Sequence, residues 1–285
     1  MHMSDMKLMV FQSDFGYRDS TVAAMYGVVK RVNPHLEIID STHELPPFDI
    51  WSASYRLWQM MRFWPEGTVF VSVVDPGVGT DRRACAALTD DGYYVITPDN
   101  GTLTHILHAH GIREVREIDE SINRLHDAGK TDVFHGRDLF GYCAARLAAG
   151  VISFEEVGPA YPADEIVCLP VPKPAYRECH AEGIIEIDDP NFGNLFTNID
   201  TEKLLASGFH MGMHVRTVIL HNETVVFDAS LPLLESFGNA EEGKPLLYNN
   251  EVMKTALAVS CGSFSDTYQI GFGSEWKIIL EGERK

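Results

Sequence analysis

Positive charge is under-represented in this sequence: 23 Lys and Arg stand against 41 Asp and Glu, a formal net charge of −18 over 285 residues. So acidic a surface repels phosphate backbones, which argues against a nucleic-acid partner and is compatible with a small cationic substrate. Cysteine is sparse too. Cys85, Cys143, Cys168, Cys179 and Cys261 are scattered, odd in number and form no C-x-x-C pair. Neither a disulfide framework nor a zinc knuckle is expected, and a reducing compartment is. No apolar run approaches the roughly 20 residues that span a bilayer. The stretch 1–7 is polar and lacks the apolar core of a signal peptide. These features predict a soluble, cytoplasmic protein with no membrane partner. No G-x-G-x-x-G or Walker A sequence follows the first strand, so dinucleotide-binding and NTP-hydrolase readings lose their main support. No G-x-S-x-G elbow marks a serine hydrolase.

What is present is ample material for a core, with 45% hydrophobic residues, in a chain long enough for two domains or one large one. The first half alternates strand and helix patterns. Apolar runs at 7–12, 36–39, 68–74, 93–96 and 114–118 read as strands, and helical spacing recurs at 20–32, 50–63, 102–110 and 136–149. Such alternation predicts a three-layer α/β domain over residues 1–160 with a mostly parallel sheet. Pro159, Pro162, Pro170, Pro172 and Pro174 fall close together and suggest a stiff linker at 161–175. Residues 176–285 read as a smaller β-domain, with strands near 184–187, 215–220, 224–227, 255–259 and 276–280. The turn His221-Asn222-Glu223 suggests a hairpin.

Ligands of open α/β sheets sit beyond the carboxyl ends of the strands. Polar turns at Asp14-Phe15-Gly16, Thr42-His43, Asp75 to Gly79, and Asp99-Asn100-Gly101 are placed on that edge. A single Asp there is more often a turn or cap residue; several together favour a site, because uncompensated carboxylates repel one another. His135, beside Gly136 at a helix start, is structural if isolated. With Asp75 and Arg82 near it, the three could hold and polarise a water molecule. Arg83 competes with Arg82, and spacing alone prefers the first. Two histidine groups, His105/His108/His110 and His210/His214, lack the carboxylate of known metal motifs. His105 and His108 are expected on the solvent side of their helix.

Taken in order, the motifs Ser13-Asp14-Phe15-Gly16, Asp40-Ser41-Thr42-His43, Val74 to Thr80, Pro98-Asp99-Asn100-Gly101, Phe134-His135-Gly136-Arg137-Asp138, Asp189 to Asn194 and Thr197-Asn198 resemble one family. It is the S-adenosylmethionine (SAM) hydroxide adenosyltransferases, relatives of the fluorinase and chlorinase, and the resemblance covers nearly the whole chain. It implies an N-terminal α/β domain, a C-terminal β-barrel and a homotrimer whose sites lie between subunits. It further implies a metal-independent reaction with no cofactor, in which water attacks ribose C5′ of SAM and releases adenosine and methionine.

By motif position, Asp75, Arg82 and His135 match the family's water-handling triad. Asp14 would grip the ribose hydroxyls, Phe48 would flank the nucleoside, and Gly136 stands where the fluorinase carries a halide-holding Ser. Asp189, Phe192 and Asn194 would serve the methionine and adenine side from the partner chain. Asn249 and Asn250 replace the Ser/Arg or Asn/Ser pairs seen at the methionine carboxylate, and Leu257 falls where halogenating relatives place Arg. The alternatives are a halide-dependent 5′-halo-5′-deoxyadenosine synthase, a non-catalytic nucleoside sensor, and a metal-dependent hydrolase built on His105, His108 and His110.

Overall fold

The computed structural model describes residues 7–126 and 132–282. The chain divides into two compact units, the first ending at Leu169 and the second beginning at Pro170.

In the first unit seven strands form one sheet. They are β1 (Met9–Ser13), β2 (Ile38–Thr42), β3 (Val69–Val73), β4 (Ala84–Thr89), β5 (Tyr94–Pro98), β6 (Ile112–Glu117) and β7 (Ala160–Tyr161), in spatial order β2-β1-β3-β5-β4-β6-β7. β2, β1, β3 and β5 run parallel, and β4 is inserted antiparallel between β5 and β6. The expected mostly parallel sheet is thus present.

Alternation along the strands sends side chains to opposite faces, and both faces are covered. Met9, Phe11, Val69, Val71 and Val73 pack with helix α1 (Thr21–Val32) and with α5 (Tyr142–Ala148). Val10, Phe70 and Val95 pack with α2 (Ile50–Met61) and α3 (Thr104–Ala109). A short α4 (Glu120–Asn123) follows β6. Runs buried on both faces read as continuously apolar, which is why β1 and β3 were legible.

Residues 161–169 pack as part of this unit. Tyr161 donates its hydroxyl to Asp99 Oδ2 (3.0 Å), the Val167 amide donates to Asp99 Oδ1 (2.9 Å), and the Leu169 amide donates to Thr104 Oγ1 (2.9 Å).

The expected helix at 136–149 has a wide first section. Gly136–Gly141 is π-helical and passes directly into α5. Gly150 follows at φ 65°, the left-handed conformation that commonly ends a helix.

In the second unit β9 (His180–Asp188), β10 (Leu195–Asp200), β14 (Lys254–Val259), β13 (Pro245–Asn249), β12 (Thr224–Leu234), β11 (His214–His221) and β15 (Trp276–Glu281) pair in that order. β10 pairs back onto β9, which closes a seven-stranded barrel. β8 (Ala175–Arg177) is appended to β9. The interior holds Ile185, Leu195, Val215, Ile219, Leu247, Leu257 and Ile278. Two short helices, α6 (Thr201–Ala206) and α7 (Phe264–Tyr268), complete the unit. The predicted hairpin is present: His221 pairs with Thr224 across Asn222 (φ 47°) and Glu223 (φ 67°), the two left-handed residues of a type I′ turn. Among the described residues no helix is long and apolar enough to cross a membrane.

Candidate active site

Three strands of the parallel group end in one place. Asp14 follows β1, the 43–48 loop leaves β2, and Asp75 lies two residues beyond β3. His135 and Gly136 join them from the start of the π-helical segment. Between these elements lies a cavity of about 460 Å³ whose wall includes Asp14, Phe48, Asp75, His135 and Gly136. Phe15, Val78, Val133 and Phe134 also line it; the sequence motifs contain Phe15, Val78 and Phe134 without giving them a role, and Val133 lies outside those motifs.

Arg82 stands behind Asp75 and His135 and joins them. Its Nε and Nη2 donate to the two carboxylate oxygens of Asp75 at 2.9 and 2.5 Å, a bidentate pair of the strong kind. Nη2 also meets His135 Nδ1 at 2.8 Å. The guanidinium lies over the Phe140 ring, 5.2 Å from its centroid. Both side chains of the ion pair are nearly dry, with Arg82 10% and Asp75 6% exposed.

A guanidinium can only donate, so His135 Nδ1 is the acceptor and the ring proton sits on Nε2. That nitrogen is buried and has no partner. Burial first, and Arg82 second, hold the imidazole below its usual titration range, so it is neutral at pH 7. Arg83 turns away: it meets Glu165 (2.9 Å) and Asp99 (3.4 Å) and covers the Tyr161 ring. Asp99, on the same sheet edge, is spent on this fastening and does not line the cavity.

Asp14 Oδ2 accepts from the Phe48 amide (2.9 Å). Phe48 itself is 71% exposed at φ 67°, a conformation that costs a non-glycine residue free energy and clusters at ligand sites. Gly136 has no space for a side chain, because a Cβ there would lie 2.9 Å from the Phe15 ring.

In the barrel unit, Asp189 Oδ1 accepts from the amides of Asn191 (3.0 Å) and Phe192 (3.3 Å). This turn leaves Phe192 68% exposed and Asn194 buried. A second cavity, of about 570 Å³, is lined by Phe192, Asn194, Phe237, Ser260 and Cys261 among others, but not by Asp189, Asn249 or Asn250. Asn250 Oδ1 holds the Val252 and Lys254 amides, while its Nδ2 and the Oδ1 of Asn249 are buried without partners. Leu257 lies in the barrel core.

The histidine groups resolve differently from expectation in one respect. His105 is buried, not solvent-facing: its Nδ1 meets Ser54 Oγ at 2.8 Å and its ring sits among Trp51, Tyr55 and Trp58. Tertiary packing on α2 outweighs the polar placement that periodicity suggested. His108 is exposed as expected. His110 Nδ1 meets Asp91 (2.5 Å), and His210 Nδ1 meets the Met211 carbonyl (3.1 Å). Among the described residues no three His, Cys, Asp or Glu side chains are grouped to hold a metal ion.

Residues 9–158 match the SAM hydroxide adenosyltransferase N-terminal domain, and residues 183–277 match the C-terminal domain of the same family. The chain belongs to the SAM hydroxide adenosyltransferase family. It is 34% identical to an (R)-S-adenosyl-L-methionine hydrolase of Salinispora tropica, over 94% of this chain and 96% of that protein. It is 30% identical to a fluorinase of an Actinoplanes species, over 93% and 95%. A crystal structure of an uncharacterized conserved protein from Thermotoga maritima superposes with a TM-score of 0.86 at 32% identity, covering 96% of this chain and 99% of that one. Both hydrolase and fluorinase names thus occur among relatives of similar identity.

Proposed function

We propose that this member of the family hydrolyses SAM, with water attacking ribose C5′ in line with the departing sulfur to give adenosine and methionine. The observation that carries the reading is the Asp75–Arg82–His135 group: Asp75 and His135 line the cavity, Arg82 joins them, and His135 Nε2 is buried with no hydrogen-bond partner. The sulfonium leaves as a neutral thioether and needs no acid. What remains is to orient a weak nucleophile and discharge its proton.

Arg82 occupies the one lone pair of the imidazole, so His135 serves as a donor that fixes the water oxygen. Asp75 keeps free lone pairs beyond its Arg82 contacts, and a neutral water is far too weak an acid to give its proton to any carboxylate. The water proton therefore passes to it only once C–O bond formation has made the oxygen strongly acidic. Asp14, with its second oxygen not engaged by Phe48, takes the ribose hydroxyls.

Gly136 argues only against a fluorinase-like pocket, since the chlorinase also lacks the fluorinase's Ser. A Ser there, as in the fluorinase, requires the Phe15 ring to move. Asp75 by itself gives little ground against a halide, because Arg82 compensates its charge. We further propose a homotrimer in which Asp189, Phe192, Asn194, Asn249 and Asn250 complete the site of a neighbouring copy.

The test is incubation with SAM, with and without fluoride, chloride and chelator, followed by chromatography. Adenosine and methionine in every arm support hydrolysis. A halogenated nucleoside moves the protein to the synthase branch, and binding without product to the sensor branch. For the assembly, mixing inactive Asp75→Asn and Phe192→Ala variants should restore activity through hybrid sites, and no recovery refutes it.

A further inference from the structure

A second chain of polar side chains runs beneath the cavity without lining it. Ser13, at the end of β1, is fully buried, as is His43 just beyond β2. Ser13 Oγ lies 2.6 Å from His43 Nδ1, and His43 Nε2 lies 3.2 Å from Asp40 Oδ1. The other oxygen of Asp40 accepts the hydroxyls of Tyr17 (2.9 Å) and Tyr26. Both tyrosine rings stand edge-on to the imidazole, at 5.3 and 6.4 Å. The Phe15 amide donates to Ser13 Oγ (3.2 Å).

Burial holds the His43 imidazole below its usual titration range, so the ring is neutral and each bond in this chain has one direction. A carboxylate only accepts, so His43 carries its proton on Nε2 and its Nδ1 accepts from the Ser13 hydroxyl. Ser13 Oγ is then free to accept from the Phe15 amide. The arrangement resembles a serine–histidine–aspartate triad, but Ser13 is wholly enclosed and its oxygen is committed on both sides, so it is no nucleophile.

We infer that Asp40, His43 and Ser13 are positioning residues: their directed hydrogen-bond chain holds the Ser13–Gly16 turn against the 43–48 loop, and so sets Asp14 for substrate. Two backbone contacts show where the hold acts. The Gly16 amide donates to the His43 carbonyl (2.6 Å), and the Leu45 amide donates to the Ser13 carbonyl (3.3 Å). Asp14 lies inside the clamped turn, and Phe48, which binds the Asp14 carboxylate, lies inside the clamped loop. Two walls of the cavity thus share one internal fastening. A side chain that binds through a turn is only as well placed as that turn, and misplacement by about 1 Å costs on the order of 100-fold.

The kinetic readout rests on the SAM-hydrolysing reading, so a second readout independent of activity accompanies it. In His43→Gln and Ser13→Ala, SAM KM is expected to rise at least about tenfold, the scale of one lost buried hydrogen bond. kcat should stay within about threefold, because Asp75, Arg82 and His135 are untouched. The double variant should be no worse than the worse single, since both break one chain. Hydrogen exchange of the peptide spanning 13–17 should quicken in each, while α3 and the barrel keep wild-type protection. Asp40→Asn, which keeps an acceptor for His43, covers the case in which His43→Gln does not fold; it should give an intermediate loss.

A KM unchanged in all variants with unchanged exchange at 13–17 overturns the inference. So does an equal fall in kcat and kcat/KM, or additive losses in the double variant. If wild type does not turn SAM over yet exchange at 13–17 quickens as expected, the fastening stands and the reaction assigned to the site falls.

Discussion

Arg82→Ala leaves two groups stranded at once: an Asp75 carboxylate that is 6% exposed, and a His135 Nδ1 with no donor. Breaking a nearly dry ion pair from one side costs about 3–5 kcal/mol, because the remaining charge stays desolvated. For a unit of this size each kcal/mol moves the midpoint by about 2–4 °C, so the fall in Tm should be about 6–20 °C. Converting Asp75 to Asn in the same background removes the orphaned charge and should restore much of the loss, so the double-mutant cycle carries a large coupling. Turnover should fall by about 100- to 1000-fold, the usual loss when a preorganised donor system is removed, and Asp75→Asn should not restore it. Calorimetry on the four proteins, with single-turnover kinetics on the same samples, reads both. A Tm change under about 2 °C, or a double variant no more stable than Arg82→Ala, would falsify the picture of a desolvated, mutually dependent pair.

Acidification offers a separate handle: kcat should be level above neutrality and fall as pH drops through the depressed His135 pKa, since a proton on Nδ1 faces the Arg82 donor. The folded-state pKa is the lower one, so the stability that His135 contributes is full above its unfolded value of 6.5 and is lost as pH falls below it. In an Arg82→Gln protein the acid limb should move upward, and a His135 NMR titration unmoved by that change refutes the assignment. Gly136→Ser should displace Phe15, costing about 1–3 kcal/mol as overpacking, and should lower hydrolysis without yielding fluorinated nucleoside; fluoride-dependent product would sink the steric argument. Glu223→Gly relieves a left-handed non-glycine in the barrel hairpin and should raise stability by about 0.5–1 kcal/mol with activity unchanged, as read by thermal melting.

How much could be read without coordinates differed by element. β1 and β3 announced themselves through unbroken apolar runs, and α1 and α2 through their spacing. β4 did not: Ala-Cys-Ala-Ala-Leu-Thr contains almost nothing β-branched, and its antiparallel insertion beside β5 is a matter of tertiary pairing. His105 was misplaced because periodicity counts polarity, whereas the ring finds a hydroxyl and three aromatic neighbours on α2. The acidic turns were legible as a group, yet only topology separates Asp14 and Asp75, which face the cavity, from Asp99, which fastens 161–167. Likewise Arg82 and Arg83 are adjacent, and a strand beginning at Ala84 sends them to different partners. Hydrogen-bond polarity was invisible from sequence, and it alone distinguishes a His135 that donates from one that accepts.

The π-helical opening at Gly136–Gly141 acts as a phase setting for the His135 imidazole. A π-turn carries one residue more than an α-turn. Deleting one residue from this stretch would let α5 continue as regular α-helix and rotate everything before it by about 100°. His135 would then point away from Arg82 while every side chain of the site remained in the sequence. The arrangement is therefore encoded partly as a count: the number of residues between His135 and the anchored face of α5 sets the Arg82–His135 contact as much as the identity of the histidine does.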